Sequence, residues 1–240
     1  VKDILTYNGR SLADFGVTFD GSKSFGSPEK DYDIISIPGR NGDLSIYNNR
    51  FKDLNISVPC FIRDDFLENY RNLMAFLNSA HGYLRLESSK EPEYFREALF
   101  LGAVEPTTYA FNKSGRFTLN FRCHPQRFLK IGEEPITYIP LPGDGTWILR
   151  NPTMQVAKPN FRVYGVGQVY VNNKTFTTSD LAAGYYLDVD SEICEVTMGP
   201  YNMNSHFAGT FPLLEPGDNE IKCLTAYISK IEVTPRWFEI

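Results

Sequence analysis

Three histidines, His81, His124 and His206, and four cysteines, Cys60, Cys123, Cys194 and Cys223, are the side chains best suited to metal binding or thiol chemistry in this sequence. Their spacing does not support either. No HxxxH or HxH pairing sets two imidazoles on one face, and no CxxC brings two thiols together, so a metal site would have to be assembled entirely by the fold. Two or more cysteines fall in alternating apolar runs, where Cys acts as a small hydrophobe, so buried free thiols are expected. No serine lies in a GxSxG elbow and none can be tied to a partner base. Gly165-Val166-Gly167 lacks the third glycine and the following helix of a dinucleotide loop and reads as a strand bend or bulge. Asp188-Val189-Asp190 lacks the later glycine and terminal glutamate of a calcium loop and reads as two carboxylates on the solvent face of a strand. A glycosidase would need two carboxylates across a cleft, and Glu133-Glu134 reads as solvated loop charge. The expectation is a protein that is not an enzyme, with no catalytic residues, no metal and no cofactor.

Composition fits a different kind of protein. The 240 residues allow one large domain or two ordinary ones. Hydrophobic content of 42% with 22% charged residues is that of a chain that folds. The 18 Phe and 14 Tyr favour strands and broad contact surfaces. A net charge of -5 without a basic stripe argues against a nucleic-acid binder. Apolar stretches are too short for a membrane-spanning helix, and the N-terminal Val-Lys-Asp-Ile-Leu-Thr-Tyr-Asn-Gly lacks the apolar core of a secretory signal.

The elements that would position any site follow from periodicity. Leu54, Ile56, Val58, Cys60 and Ile62 alternate with polar residues, as do Phe117, Leu119, Phe121 and Cys123, and Tyr83–Glu87 gives a shorter version. These are half-buried strands of one sheet system. Between them Phe66, Tyr70, Leu73, Met74 and Leu77 form one helical stripe over 65–79, with Asp65 and Glu68 spaced as a capping pair and Gly82 suited to a left-handed stop. This stripe must be buried against the sheet. Pro135, Pro140, Pro142, Gly143, Gly145 and Pro152 then predict a linker with room only for short extended pieces. From Phe161 short strands recur at Phe161 and Val163, Val169 and Val171, Leu187 and Val189, and Cys194 to Met198. Turns are expected at Asn172-Asn173 and Ser191-Glu192, and together these predict a β-sandwich. Pro216-Gly217-Asp218-Asn219 precedes a last extended run toward Trp237.

Two surfaces are candidates for binding. Residues 31–50 read as an extended arm with a polar, glycine-rich tip at Pro38-Gly39-Arg40-Asn41-Gly42-Asp43, Asn41-Gly42 being a strong hairpin signal. An isolated two-stranded ribbon is marginal, so the arm lies against its own domain or a neighbouring subunit. Trp147, Tyr164, Tyr170, Tyr185 and Tyr186 could stack on sugar rings, against the plainer alternative of core or interface packing.

The segment Asp33-Ile34-Ile35-Ser36-Ile37-Pro38-Gly39-Arg40-Asn41-Gly42-Asp43-Leu44, with Arg50 and the Leu54–Ile62 strand after it, resembles the start of the siphophage distal tail protein family. Phe121-Arg122-Cys123-His124-Pro125-Gln126-Arg127-Phe128 resembles that family's passage out of its first domain. Asn151-Pro152, Val163 to Gly167, Phe211 through Asn219, and Pro235-Arg236-Trp237 resemble its second half. The resemblance implies a mainly β protein: an N-terminal ring-forming β domain (1–130) with one helix and the hairpin arm, a galectin-like β-sandwich with its preceding linker (131–225), and a C-terminal strand (226–240) returning to the first domain. It implies a structural hub of the phage tail tip: a homo-hexameric ring, with paired rings an option, in the virion, joining tail tube to baseplate or fibre around the DNA passage. Pro38 to Leu44 and Arg50 would then lie in the ring interface. Implied partners are the tail tube protein, the tail-associated protein and receptor-binding or baseplate proteins, with DNA passing through unbound and no membrane contact. The alternative is a carbohydrate-binding module contacting the host cell wall through the sandwich.

Overall fold

A computed structural model describes residues 4–19, 26–140, 145–179, 184–225 and 227–240. The chain divides into two compact units, Val1–Arg127 with Ile240, and Phe128–Glu239.

The first unit is an antiparallel sheet with strand order Arg10–Ser11, Leu5–Tyr7, Leu84–Ser88, Tyr94–Phe100, Ser114–Cys123, Leu54–Ile62, Val17–Phe19, and Thr107–Tyr109 attached to the start of Ser114–Cys123. Its axis is the pairing of the two period-2 strands, in register from Cys123 opposite Leu54 to Gly115 opposite Ile62. Their apolar faces agree: Val58, Cys60, Ile62, Phe117, Leu119, Phe121 and Cys123 are all buried. A one-residue slip would turn that whole set toward water, so the register is strongly fixed.

Among the described residues Phe66–Ser79 is the one α-helix, and it buries Phe66, Leu73 and Leu77 in this core. Phe66 stacks on Tyr70 at 5.2 Å, and Tyr70 meets Phe117 edge-on at 5.4 Å. The expected capping pair does not form. Asp65 takes a left-handed conformation (φ 52°) with no side-chain cap, and the Asn69 side chain donates instead to the Asp64 carbonyl. Gly82 is left-handed as expected (φ 77°), but the helix has already ended at Ala80.

The second unit is a sandwich of two antiparallel sheets, the galectin-like architecture that was expected. One has the order Ile136–Tyr138, Ile228–Thr234, Asn160–Gly165, Tyr186–Asp190, Glu195–Met198, Tyr201–Asn202; the other, Thr146–Asn151, Gly217–Cys223, Gly167–Val171, Lys174–Thr178, Phe207–Gly209. Phe161, Val163, Val169, Phe176, Leu187, Val189, Ile221 and Ile231 fill the space between them. Asn172 and Asn173 both have positive φ at the hairpin joining Gly167–Val171 to Lys174–Thr178, as the turn requires. Gly165 and Gly167 mark a register shift: a Cβ at Gly165 would lie 2.2 Å from the Tyr227 carbonyl oxygen, so only glycine fits this bulge.

The structure departs from expectation at three points. The proline-rich stretch taken as linker contributes two strands, Ile136–Tyr138 and Thr146–Asn151, each at a sheet edge, where flanking prolines are tolerated; Pro142 and Gly143 lie outside the described residues. The final run places Ile228–Thr234 inside the sandwich and ends in a short strand, Phe238–Glu239, that pairs with Arg127–Leu129. Cys194 lies in a left-handed turn (φ 53°) and is exposed, whereas Cys60 and Cys123 are buried. Burial pushes the Cys123 thiol up to about 12. Lys174–Thr178 is a strand that its threonine-rich sequence did not announce.

Gly115 sits where the helix begins, and a Cβ there would come within 2.5 Å of the Phe66 ring. Gly115→Val should therefore lower stability by about 1–3 kcal/mol through overpacking, read as a drop in urea midpoint with unchanged slope.

Candidate functional site: the hairpin arm and the outer sheet

The arm pairs Lys30–Ile35 with Leu44–Phe51, Tyr32 opposite Tyr47, Asp33 opposite Ile46, Ile34 opposite Ser45 and Ile35 opposite Leu44. Residues directly opposite share a face, so Tyr32, Tyr47 and Ile34 line one side and Ile35, Leu44 and Ile46 the other. Both sides face water. Ile34 is 61% exposed and Ile46 is 46% exposed, and every residue from Leu44 to Arg50 is exposed. Burying one such side chain fully is worth roughly 1.5–3 kcal/mol, which an uncovered ribbon forgoes on both faces. Tyr32 and Tyr47 touch at 5.0 Å, giving the ribbon one cross-strand contact of its own.

The tip differs from the sequence expectation. Asn41-Gly42 does not form a two-residue hairpin turn; the chain turns at Pro38-Gly39, with Gly39 at φ 81° and the Arg40 N–H donating to the Ile37 carbonyl at 3.2 Å. Pro followed by a left-handed Gly is the type II arrangement. Gly42 is also left-handed (φ 81°), and Arg40, Asn41, Asp43 and Leu44 are exposed around it.

The root is fixed by charge. Asp31, only 8% exposed, accepts from Arg50 Nε at 2.6 Å, while Lys52 donates its N–H to the Glu29 carbonyl at 2.8 Å and its ammonium to the Glu29 carboxylate at 3.1 Å. The Arg50 hydrogen bond holds the Asp31 carboxyl below the usual carboxylate range. Asn49 is left-handed (φ 54°) at a register shift between Lys30 and Tyr32, a bulge that twists the arm as it leaves the domain. Next to the root, Asp53 accepts from Arg122 Nε at 2.7 Å and from the Tyr83 hydroxyl at 2.9 Å. Burial opposes its ionisation, but these two donors outweigh it and keep it charged. An open cleft of about 530 Å³ lies between Arg50, Phe51, Lys52, Asp53, Asn55, Leu101 and Arg122.

At the far end of the Leu54–Ile62 strand a second hairpin joins Thr107–Tyr109 to Ser114–Cys123. Its tip holds three consecutive left-handed residues, Ala110, Phe111 and Asn112 (φ 49°, 55° and 66°), and the Phe111 side chain is fully exposed at 103%. Left-handed backbone costs an L-residue about 1–2 kcal/mol, a cost least for Asn.

The aromatic candidates of the sandwich do not converge. Trp147 points inward and stacks on Tyr138 at 5.2 Å, half-buried against the core. Tyr170 belongs to the five-stranded sheet, beneath the Lys222 ammonium. Tyr164 and Tyr186 are neighbours on the six-stranded sheet at 5.6 Å, each with a cation over its ring, Lys230 at 4.1 Å and Arg162 at 4.4 Å; Tyr185 is exposed just before that strand. The same face carries the two carboxylates expected on a solvent side, but both are paired: Asp188 accepts two hydrogen bonds from Arg162 (2.8 and 3.0 Å) and Asp190 two from Arg236 (both 2.7 Å). Asp188 raises the pKa of Arg162.

His124 meets Glu97 at 3.0 Å under the Tyr83 ring, and His206 meets the Ser179 carbonyl at 3.1 Å, so the histidines are dispersed. Among the described residues no group of three His, Cys, Asp or Glu is placed to hold a metal ion, and no helix is long and apolar enough to cross a membrane.

A two-unit antiparallel β protein with an exposed hairpin arm is the class these features define. Residues 12–123, which contain the arm, the helix and the second hairpin, match the phage tail protein RIFT-related domain family. A search of curated proteins finds no match. Among solved structures, the Dit protein of SPP1, described as a paradigm of the hub adsorption apparatus in phages infecting Gram-positive bacteria, is similar over 99% of both chains at 13% identity with a TM-score of 0.74. The baseplate of phage p2 in its activated conformation is similar over 97% of this chain and 96% of that one at 12% identity, TM-score 0.53. The first unit thus carries a phage tail domain, and the chain has the distal tail fold across nearly its entire length. The match over residues 12–123 and the fold shared with the SPP1 Dit protein both agree with the sequence resemblance.

Burial weakens the Asp190 carboxylate, but Arg236 and the Glu192 and Ile193 N–H groups outweigh it and depress its pKa. A depressed carboxylate contributes stability that is complete above the unfolded value near 3.9 and is lost as pH falls through the lower folded value. Asp190→Asn should therefore destabilise the protein at pH 7 and flatten its acid limb, measured by urea unfolding between pH 7 and 2.5.

Proposed function

We propose that this chain is a non-enzymatic structural hub of a long-tailed phage tail tip: a hexameric ring that joins the tail tube to the baseplate or tail fibre and surrounds the DNA passage. The observation that carries this reading is the arm, apolar on both faces and exposed along its length. Such a ribbon acquires its missing cover when it lies across a neighbouring copy, where its strands add main-chain hydrogen bonds and its side chains leave water. Repeating that contact head to tail closes a cyclic, heterologous interface. Pro38, Gly39, Arg40, Asn41, Gly42, Asp43 and Leu44 form the reaching end, and Arg50 anchors it through Asp31.

The partners in this reading are the tail tube protein, the tail-associated protein, and receptor-binding or baseplate proteins. The chain is made in the host cytoplasm and ends in the tail tip of the virion. Net charge of -5 suits a passage through which DNA slides without binding. The saccharide-binding alternative is disfavoured, because Trp147 is inward, Tyr170 belongs to the other sheet, and Tyr164 and Tyr186 are already covered by cations.

Ile34→Lys combined with Ile46→Lys places a charge on each face of the arm without touching the core. By light scattering across a concentration series, the unaltered protein should reach the mass of a hexamer and the double variant should remain a monomer. A strict monomer for the unaltered chain, with and without the tail tube protein, would overturn the ring.

A further inference from the structure

We propose that Phe111 is a knob that enters a socket on a second copy of this chain, a contact separate from the arm. This inference rests on the ring reading and adds to it a defined pair of surfaces. The socket is a half-open cavity of about 60 Å³ in the first unit, walled by apolar side chains from Leu5, Leu54, Ile56, Leu86 and Phe95, with Glu87, Ser88, Glu91, Arg96 and Arg127 also lining it. By the yardstick of about 10–15 Å³ per water it has room for several waters, and hence for part of a phenyl ring. The knob is presented by the left-handed Ala110–Asn112 tip, braced where the Lys113 N–H donates to the Ala110 carbonyl and the Lys113 carbonyl accepts from the Phe66 N–H, both at 3.2 Å. A fully exposed Phe on strained backbone is unfavourable in both respects in the isolated chain, and insertion among the aliphatic side chains of this largely apolar cavity relieves the exposure.

The knob cannot reach its own socket, so within the proposed ring its occupant is a second copy. The hairpin of Phe111 springs from the end of the central pairing where Gly115 faces Ile62, whereas the socket is walled by Leu54 and Ile56 at the other end. At about 3.3 Å per residue, Ile56 and Ile62 are already roughly 20 Å apart. The arm also leaves the domain at the socket end, through Phe51, so arm and socket share the side that the ring reading gives to one neighbour. The opposite end then offers its knob to the next copy, the head-to-tail arrangement a ring requires.

The test replaces Phe111 with photoreactive p-benzoylphenylalanine in the full chain and irradiates an equal mixture of 14N- and 15N-labelled protein at concentrations where light scattering reports oligomers. Cross-links from position 111 to 54–58 or 86–96 of a differently labelled copy are expected, and Phe111→Ser, a surface change that leaves the core intact, should weaken self-association by at least about tenfold. Oligomers in which position 111 links elsewhere or not at all, or which Phe111→Ser leaves equally tight, overturn the knob while the ring stands. A chain that never self-associates overturns both.

Discussion

The register between Leu54–Ile62 and Ser114–Cys123 is the constraint on which the first domain depends. Because side chains alternate, that one alignment commits Val58, Cys60, Ile62, Phe117, Leu119, Phe121 and Cys123 to the core together, and the helix can then bury Phe66, Leu73 and Leu77 against them. The same pairing has two distinct ends. The arm departs just before Leu54, and the Phe111 hairpin turns back into Ser114, so a rigid β ribbon holds apart the two features that water disfavours most. Surfaces that an isolated domain would hide are thereby kept exposed at fixed positions, as the proposed assembly from identical copies requires.

The arm shows how local chemistry makes an exposed element orderly. Charge at its root, Asp31 with Arg50 and Glu29 with Lys52, fixes where it leaves, and the bulge at Asn49 sets its twist. The tip turns through Pro38-Gly39, which pre-sets one backbone angle and permits the next. The ribbon between carries isoleucines and tyrosines on both faces and has no core of its own. In the sandwich the arrangement is reversed: its outward face is already occupied by Arg162 with Asp188, Arg236 with Asp190, and Lys230 with Glu232 and Tyr164, so its polar groups answer one another.

Much of this was legible in the sequence because it depends on alternation or on turn residues. The two long strands, the helical stripe, the glycine bulge at Gly165 and the arm all announce themselves that way. What stayed hidden has physical reasons. Ile136–Tyr138 and Thr146–Asn151 lie between prolines that look like linker, yet edge strands tolerate them, since one side of an edge needs no ladder hydrogen bonds. The helix lacks its predicted cap because Asp65 is left-handed, a conformation its type permits but does not signal. Within the arm, Asn41-Gly42 looked like the turn, but Pro38-Gly39 took it. Phe111 was invisible as a feature, because Ala110 and Phe111 have no intrinsic preference for left-handed backbone and nothing in their pattern predicts full exposure.

Amide hydrogen exchange of residues 30–51, followed by mass spectrometry across protein concentrations that span assembly, tests most directly whether the arm is covered by a neighbour. The account predicts fast exchange at the dilute end beyond what the two strands protect in each other, and marked slowing as copies associate. Exchange in this segment that stays the same while the protein passes from monomer to ring would contradict it.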